Sequence, residues 1–492
     1  MPIHQSVTPP ASRLDLLPST GRPGEIRSIF FCILAFWLAT VVLGALSDGV
    51  HHDDDLVHFL MARWAWTYPG YLLHIWGRPG ATLPLAMVSG LADVDLAWHT
   101  ARLLSSTVSA VCAWLAAGVA RSLGVSRCWR VTAACYVQPL FAMLGYTTLT
   151  ENFTAFYLIA ATALLLKGRA HAASLVFSLA LLTRHEAIIF LPLWMLVVLL
   201  YKPAGRRRGV SGRVAAAAVS LWAPLVHNLL YRWQFGGWPA TIFFRPSGST
   251  EYLATGWADY VPDAAYAVTP LIGILALVGA ANWLYGRRGE GDRSSPQGRQ
   301  VARLWVIGMP LIFFAAHTAI CALGVFASGG FPRFMVAVSP FVAILAVVGW
   351  DVLLAGRVMP GRAVRGWLIT ALAWGMTWLA LESEARAGRL PVASQNGWIA
   401  MRVILGVFLV GSLVASLNRQ RIVTLFRPGL LACLLLVVAG QWIFIVRPLR
   451  LKPAQEAARQ VVRRLDEHGL SDRPIFATNP WIVFGLGLIE NS

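Results

Sequence analysis

The stretch SDGVHHDDDLVHFLMARWAW, from Ser47 to Trp66, follows directly on the first long apolar run of the chain. It places three consecutive aspartates, with histidines on both sides, just outside a hydrophobic segment. Because a charged side chain near hydrocarbon is costly, ionisable residues at such places usually serve a function. We therefore expect a chemical site at the water-facing end of a membrane span.

The composition predicts a membrane protein with many spans. Of the 492 residues, 57% are hydrophobic and 13% are charged, whereas a soluble protein has roughly a quarter of charged residues. Apolar runs long enough to cross a bilayer recur between Ser28 and Val446. The expected fold class is an all-α polytopic membrane protein with about 13 transmembrane helices.

The net charge of +18 predicts the orientation of the chain in the membrane. Its short polar segments form two alternating sets, and one set holds 24 of the 41 Lys and Arg but only 5 of the 23 Asp and Glu. Basic short loops stay in the cytoplasm, which puts the N-terminus inside and the aspartate run and the C-terminus outside, in a cell inner (plasma) membrane. The lipid bilayer is therefore an expected partner of the protein. Nucleic acid is disfavoured, because no basic patch with interleaved aromatics lies on a soluble domain.

Three regions follow from this pattern: a cytoplasmic tail over 1–27, a transmembrane domain over 28–446, and a short extracytoplasmic tail over 447–492 that could be a truncated soluble domain. The tail is expected to hold a helix over Pro453–His468 and then a strand and turn in RPIFATNP. Gly80–Ala92 is too short to cross comfortably and is assigned to the first outer loop as a re-entrant or interfacial helix. The predicted spans are about 28–47, 103–120, 131–147, 151–166, 171–183, 187–201, 214–231, 267–286, 304–326, 334–355, 366–381, 401–418 and 429–446.

The aspartates suit a general base. A helical pattern from Asp54 to Trp66 would place Asp54 and Asp55 at a helix N-terminus, where carboxylates stay ionised. The simpler interpretation is that Asp53 or Asp54 only caps this helix. His58 lies one turn after Asp54 and could bind substrate in the same site. Carboxylates could also hold a divalent cation, which is the one cofactor that the sequence leaves open. No Cys/His metal spacing and no disulfide framework is present among the six cysteines.

Three arginines at the predicted outer face could bind an anion. Arg184 lies in a short turn with Glu186, Arg333 in SGGFPRF, and Arg245 in TIFFRPSG. Arginine suits phosphate because its planar fork pairs two oxygens and keeps its charge. The alternative for each is snorkelling to the lipid headgroups.

At this point the sequence resembles a known family, the GT-C superfamily of polyprenyl-phosphate-sugar-dependent glycosyltransferases, and within it protein O-mannosyltransferases and lipid A aminoarabinose transferases. The resemblance begins with a first span followed by DDLVHFLMAR, and it covers roughly 28–360. The further similar segments are WGRPGATLPLA (76–86), ARLLSSTVSAVCAWLAAGVARSLG (101–124), LTENFTAFYLIAATALLLKGR (149–169), LALLTRHEAIIFLPLW (179–194) and FPRFMVAVSPFVAILA (331–346).

The resemblance implies a sugar donor carried on a polyprenyl phosphate and inverting transfer to a protein, lipid or glycan acceptor outside the membrane. It implies that Asp54 is the catalytic aspartate, with Asp55 where the family usually has Glu, although three aspartates in a row leave the register open by one residue. It also implies an acid of the second outer loop near the active site, here Glu151, which could otherwise simply cap its helix. Arg78 stands where the family often has lysine.

Two other classes of function fit parts of the pattern. A transporter or flippase of lipid-linked sugars would be expected to show repeated halves and ionisable groups near mid-span, and the sequence shows neither. A glycan polymerase or ligase would be expected to depend on large late loops with Arg and His.

Overall fold

The computed structural model describes residues 23–202, 209–239, 256–257, 260–285, 296–324, 331–354, 450–470 and 479–486, and within these ranges the chain forms helices and no strands. Three predicted spans, 366–381, 401–418 and 429–446, lie outside the described residues. So do the N-terminal tail up to residue 22, Arg245 and most of the predicted RPIFATNP strand.

The α-helices of these ranges, in chain order, are α1 (Pro23–Ala45), α2 (Asp53–Trp64), α3 (Pro79–Ser89), α4 (Val94–Ser122), α5 (Trp129–Val137), α6 (Pro139–Leu144), α7 (Glu151–Leu166), α8 (Ala170–Thr183), α9 (Leu191–Leu200), α10 (Val210–Val219), α11 (Trp222–Phe235), α12 (Tyr260–Val268), α13 (Pro270–Tyr285), α14 (Pro296–Leu323), α15 (Ser339–Leu354), α16 (Pro453–Glu467) and α17 (Pro480–Gly485). Short 3₁₀ helices occupy Pro69–Leu72, His185–Phe190 and Pro332–Val338.

Several of these helices are long and apolar enough to cross a membrane. Four qualify by length and hydropathy, and α10 with α11 forms a fifth candidate that is bent by 40°. Further apolar helices of 10–17 residues lie among the described residues. The predicted all-helical membrane architecture is thus confirmed, while the number of about 13 spans stays a prediction.

Prolines break two elements that the sequence predicts as simple spans. The predicted span 131–147 is two helices, α5 and α6, separated at Gln138. Pro139 has no N–H to donate and its ring disfavours helical backbone at Gln138, so this predicted span is interrupted and is not one continuous helix. The predicted span 334–355 likewise begins as the 3₁₀ helix Pro332–Val338 before α15 starts at Ser339.

Glycines bring α13 and α15 into backbone contact in the core. A Cβ on Gly279 would overlap the carbonyl oxygen of Leu345, and a Cβ on Gly349 would overlap that of Leu275. Small residues at a helix crossing permit such close approach in membrane proteins. This contact fixes α15 and, through it, the Pro332–Val338 segment that precedes it.

The first loop and the C-terminal helices pack together over one end of the bundle. Phe59 of α2 contacts Trp98 of α4 at a ring-centroid distance of 4.9 Å and Phe484 of α17 at 6.0 Å. The predicted C-terminal helix is observed as Pro453–Glu467. Helix α3 has 11 residues and a length of about 16 Å, roughly half of a hydrocarbon core.

Candidate active site

Helix α2 begins at the aspartate run, and a histidine caps it. The N-cap is His52, whose ring Nδ1 accepts from the backbone N–H of Asp54 at 3.3 Å. Asp53, Asp54 and Asp55 form the first helical turn. The interpretation that an aspartate is the cap is therefore wrong, because Asp53 already has helical backbone. All three carboxylates lie at the positive end of the helix dipole, which favours their ionised form.

The three aspartates contact three different parts of the protein, since successive residues of a helix point about 100° apart. Asp53 Oδ1 accepts from Nε2 of Gln455 in α16 at 3.3 Å. Asp55 is fully buried, and its Oδ1 accepts from the backbone N–H of Thr148 at 2.6 Å. Asp54 is 26% exposed and turns toward Arg333.

The Asp55 carboxyl group is enclosed by Thr148. Besides the backbone bond, the Thr148 hydroxyl lies 2.5 Å from Asp55 Oδ1. Burial raises the pKa of Asp55, against the opposing influence of Arg102 and the Thr148 hydrogen bonds. A buried carboxylate held in this way connects α2 to the segment before α7 and does not face solvent.

Asp54 is held ionised by its neighbours. Its Oδ2 accepts from Arg333 Nη2 at 2.7 Å and lies 3.2 Å from His52 Nδ1. Burial alone would raise the pKa of Asp54, but the neighbouring His52 ring and the Arg333 charge outweigh it and hold the pKa well below the ordinary value. The carboxylate is charged at neutral pH and partly open to solvent.

An ion-pair network extends inward from Asp54 across four elements. Arg333 Nε lies 3.4 Å from Glu151 Oε1 at the start of α7. The same oxygen accepts from Arg184 Nη1 at 2.6 Å, and Arg184 Nη2 donates to Glu186 Oε1 at 3.0 Å. All four inner side chains are buried. The structure thus brings together Asp54, Glu151, Arg184 and Arg333, which the sequence predicts as site residues.

Aromatic rings support both arginines from one side. The Arg184 guanidinium carbon lies 3.9 Å from the Phe334 ring centroid, and that of Arg333 lies 4.8 Å from Phe331. Stacking of this kind favours a charged guanidinium in a desolvated place. The FPRF segment therefore supplies both the cation and its support.

Arg78 is a third arginine of this site and is half-buried; in the sequence it stands out only because the family often has lysine there. Its backbone has φ 58°, between Gly77 and the helix-starting Pro79. Burial, followed by the charge of Arg184, lowers its pKa to about 10, so it remains a cation at neutral pH. Among the described residues Arg78 has no ion-pair partner, and its Nη1 lies 3.5 Å from Thr150 Oγ1.

His58 lies between Asp54 and Arg78 and is 3% exposed. Burial and the Arg78 charge lower its pKa to about 3, so the ring is neutral in the physiological range. Its Nδ1 has no hydrogen-bond partner among the described residues. A neutral imidazole can both donate and accept one hydrogen bond, which suits a hydroxyl of a substrate.

Two further contacts, which the sequence does not reveal, fix the loop before α2 and the start of α3. Arg102, buried in α4, donates to the carbonyl oxygens of Ser47 at 2.7 Å and Gly49 at 2.6 Å, which fixes the loop that leads into α2. A Cβ on Gly80 would overlap Thr183 Oγ1. This close approach brings the start of α3, and hence Arg78, to the end of α8 beside Arg184.

Arg245 lies outside the described residues. Within them, no three His, Cys, Asp or Glu side chains converge in a way that could hold a metal ion. A divalent cation therefore stays a prediction from the sequence alone.

Similarity to known proteins is found at the level of the fold. No family model matches the sequence, and no curated protein matches it. The crystal structure of ArnT from Cupriavidus metallidurans in the apo state superposes with a TM-score of 0.55 and 16% identity, over 94% of this chain and 84% of that chain. The chain has the fold of ArnT. The structure of the same protein bound to undecaprenyl phosphate gives a TM-score of 0.53 and 15% identity, over 95% and 85% of the two chains.

At this level of identity the two chains share a fold. Within this fold the predicted residues Asp54, Glu151, Arg184 and Arg333 form one connected network, with His58 beside it. Asp55 lies next to the network but is directed away from it, toward Thr148. Arg78, Arg102 and Glu186 complete the arrangement, and the only sequence signal for them is charge inside otherwise apolar surroundings.

Proposed function

We propose that this chain is a membrane glycosyltransferase of the GT-C type, which transfers a sugar from a polyprenyl-phosphate donor to an acceptor at the extracytoplasmic face. The observation that carries the proposal is the partly exposed Asp54 carboxylate, 2.7 Å from the buried Arg333, which is linked through Glu151 to the buried Arg184. The crystal structure of ArnT with undecaprenyl phosphate supports a polyprenyl-phosphate lipid as the donor's carrier. The acceptor could be a protein, a lipid or a glycan.

Arg78 and Arg333 are proposed to bind the donor phosphate. Arg78 has no carboxylate partner among the described residues, and its Nε is a buried donor without a hydrogen bond there. Arg333 Nη1 is a second such donor. Buried N–H groups without acceptors are costly, and an anionic phosphate would satisfy both through charge-assisted hydrogen bonds.

Arg184 is proposed to position this pair and not to bind substrate itself. Two of its nitrogens already pair with Glu151 and Glu186. Glu151 in turn lies against Arg333 at 3.4 Å and orients its fork. In this assignment the predicted catalytic role of Glu151 becomes that of a residue which acts through Arg333.

The proposed reaction is a single inverting displacement with Asp54 as general base. The acceptor O–H gives its proton to the Asp54 carboxylate while its oxygen forms a bond to the anomeric carbon. The bond from that carbon to the phosphate oxygen breaks, and the electron pair leaves on the polyprenyl phosphate. Arg78 and Arg333 stabilise the negative charge that develops there. His58, being neutral, is proposed to hydrogen-bond a sugar hydroxyl.

The ion pair between Asp54 and Arg333 couples donor binding to the base. A carboxylate paired with arginine is a weak base, because the cation stabilises the ionised form. A donor phosphate would compete with Asp54 for Arg333 Nη2. Donor binding would thereby raise the basicity of Asp54 at the step where a base is needed.

A donor screen with purified protein tests the proposal. The protein in lipid nanodiscs is given several polyprenyl-phosphate sugars together with an extract that supplies acceptors, and released polyprenyl phosphate is measured. We expect release from at least one donor with wild type, and little release with Arg78→Gln. Arg63→Gln is the matched control, because Arg63 lies in the same loop but donates to the Ser89 and Ala92 carbonyls. Failure of the wild-type protein both to bind polyprenyl phosphate and to release it from any donor would contradict the proposal.

A further inference from the structure

A group of buried polar atoms lies beside the ion-pair network and has no role in the reaction described above. It consists of Glu186, Tyr260 of α12 and His317 of α14, which we call the Glu186 cluster. His317 is 0% exposed, and neither of its ring nitrogens has a hydrogen-bond partner among the described residues. The Tyr260 hydroxyl and Glu186 Oε2 are likewise buried without a partner in that part of the chain. Because unpaired buried polar atoms are costly, such a group indicates a ligand or an ordered water.

Aromatic rings join the Glu186 cluster to the ion-pair network. The His317 ring centroid lies 5.6 Å from that of Tyr260 and 5.3 Å from that of Phe334. The same Phe334 ring supports Arg184, whose guanidinium carbon lies 3.9 Å from its centroid. Arg184 in turn donates to Glu186 at 3.0 Å, and Glu186 is within electrostatic range of His317. The three residues of the cluster therefore surround one side of the Arg184 and Phe334 pair.

The cluster also adjoins the two arginines that are proposed to bind the donor phosphate. Arg78 is within electrostatic range of Glu186. The Arg333 guanidinium carbon lies 5.6 Å from the Phe334 ring centroid. The Glu186 side chain is 10% exposed, so accessible space reaches the cluster at this residue. In a polyprenyl-phosphate donor the sugar is bonded directly to the phosphate, and a phosphate held by Arg78 and Arg333 would place the sugar next to the cluster.

The chemistry of the cluster suits hydroxyl groups on a ring with apolar faces. A carboxylate only accepts hydrogen bonds, whereas a phenol and a neutral imidazole each donate and accept, so hydroxyl groups can satisfy all three residues. The rings of Phe313 and Phe334 supply apolar surface around His317, and apolar walls with a few placed polar groups are typical of small-molecule sites. We propose that Glu186, Tyr260 and His317 form the sugar subsite of the donor site, which binds hydroxyl groups of a neutral sugar. This inference rests on the proposed function and adds to it the residues that recognise the transferred group.

A comparison of sugar-bearing and sugar-free lipids tests the subsite on the whole protein in nanodiscs. The probes are undecaprenyl phosphate alone and undecaprenyl phosphate linked to glucose, mannose or xylose, and the affinity for each lipid is measured. We expect wild type to bind the bare lipid and at least one sugar-bearing lipid. Tyr260→Phe and His317→Leu should each bind that sugar-bearing lipid roughly fivefold more weakly, the effect of one hydrogen bond between neutral groups. Both variants should bind the bare lipid as wild type does, which would also show that they are folded.

Tyr136→Phe is the matched control for Tyr260→Phe. The Tyr136 hydroxyl is also buried without a partner among the described residues, but its ring packs against Phe36 and Phe141, away from the Glu186 cluster. The control removes the same atom from the same kind of surroundings. It should therefore match wild type for every lipid.

Three results would overturn the sugar subsite. Unchanged affinity of both variants for every sugar-bearing lipid would leave the cluster as a place for ordered water. Equal losses for bare and sugar-bearing lipids would show that the cluster acts on the phosphate or on the fold. Binding of the bare lipid by wild type, with no binding of any sugar-bearing lipid, would remove the sugar subsite and leave the phosphate site standing. Failure of wild type to bind any of the four lipids would instead contradict the proposed function, and the subsite with it.

Discussion

Arg333 Nη2 lies 2.7 Å from Asp54 Oδ2, although 279 positions separate the two residues in the sequence. The contact joins the start of α2, just after the first span, to the segment that leads into α15. It couples the proposed base to the proposed phosphate ligand, because Arg333 can pair either with the Asp54 carboxylate or with the phosphate of a bound donor.

Arg333→Lys should weaken donor use even though it keeps the charge. Lysine lacks the planar fork that reaches Asp54, Glu151 and a phosphate at once, so we expect the KM for the donor to rise roughly tenfold or more, on the order of one lost charge-assisted hydrogen bond. Initial rates over a range of donor concentrations would measure it. If Arg333→Gln left kcat and KM unchanged, Arg333 would have no role in binding.

Arg184→Gln should destabilise the protein more than Arg333→Gln does. Arg184 is 2% exposed and pairs with both Glu151 and Glu186, so its loss leaves buried Glu186 without its ion-pair partner and Glu151 with Arg333 alone, at 3.4 Å. Breaking a buried ion pair in this way costs about 3–5 kcal/mol. Thermal unfolding in detergent would show a lower Tm. The double variant Arg184→Gln/Glu151→Gln should recover part of the loss, because one uncompensated charge is removed with the arginine. A double variant less stable than the single one would contradict this assignment.

Acid should destabilise the protein partly through His58. In the folded state the pKa of His58 is lowered to about 3, whereas in the unfolded chain it is about 6.5. The unfolded state therefore binds a proton that the folded state does not, and the stabilising contribution present above pH 6.5 declines as the pH falls toward 3. At pH 5 the loss is about 2 kcal/mol. His58→Gln should show a smaller drop in Tm between pH 7 and pH 5 than wild type, and an equal drop would show that His58 titrates normally.

The sequence predicts the class of fold well and the shape of the site only in part. Spans such as 151–166 and 171–183 agree closely with α7 and α8, because apolar length is a local property. The break at Pro139 is visible only when proline is given more weight than hydropathy. The carboxylates and arginines are predicted individually, but their pairing depends on contacts across hundreds of residues, such as Asp54 with Arg333.

The residues that the sequence ranks too low share one physical feature, which is burial. Arg78 and Arg102 resemble ordinary loop and helix-end cations in the sequence, where snorkelling is the default interpretation. In the structure Arg102 is buried and donates to carbonyl oxygens, and Arg78 is half-buried near other charges. Burial also separates Asp55 from Asp54: the sequence predicts both as site residues, but Asp55 is enclosed by Thr148.

The orientation of the chain can be tested by labelling. Charge bias predicts that His51, in the loop before α2, faces the outside and that Arg127, in the loop between α4 and α5, faces the cytoplasm. In a variant without the six native cysteines, a membrane-impermeant maleimide applied to intact cells should label His51→Cys and leave Arg127→Cys unlabelled. Permeabilised cells should label both. The reverse pattern would place the aspartate run on the cytoplasmic side and remove the basis for an extracytoplasmic active site.

Asp54, among three adjacent aspartates, is proposed to be the base. The most direct measurement compares release of polyprenyl phosphate by Asp53→Asn, Asp54→Asn and Asp55→Asn at saturating donor, with donor binding measured on the same preparations. We expect Asp54→Asn to lose a factor of about 10²–10⁴ in kcat, the usual contribution of a general base, while it still folds and binds donor. The Asp53 carboxylate accepts a hydrogen bond from Gln455 of α16 and does not face Arg333, so Asp53→Asn should remain near wild type. Transfer at the wild-type rate by Asp54→Asn would show that Asp54 is not the base.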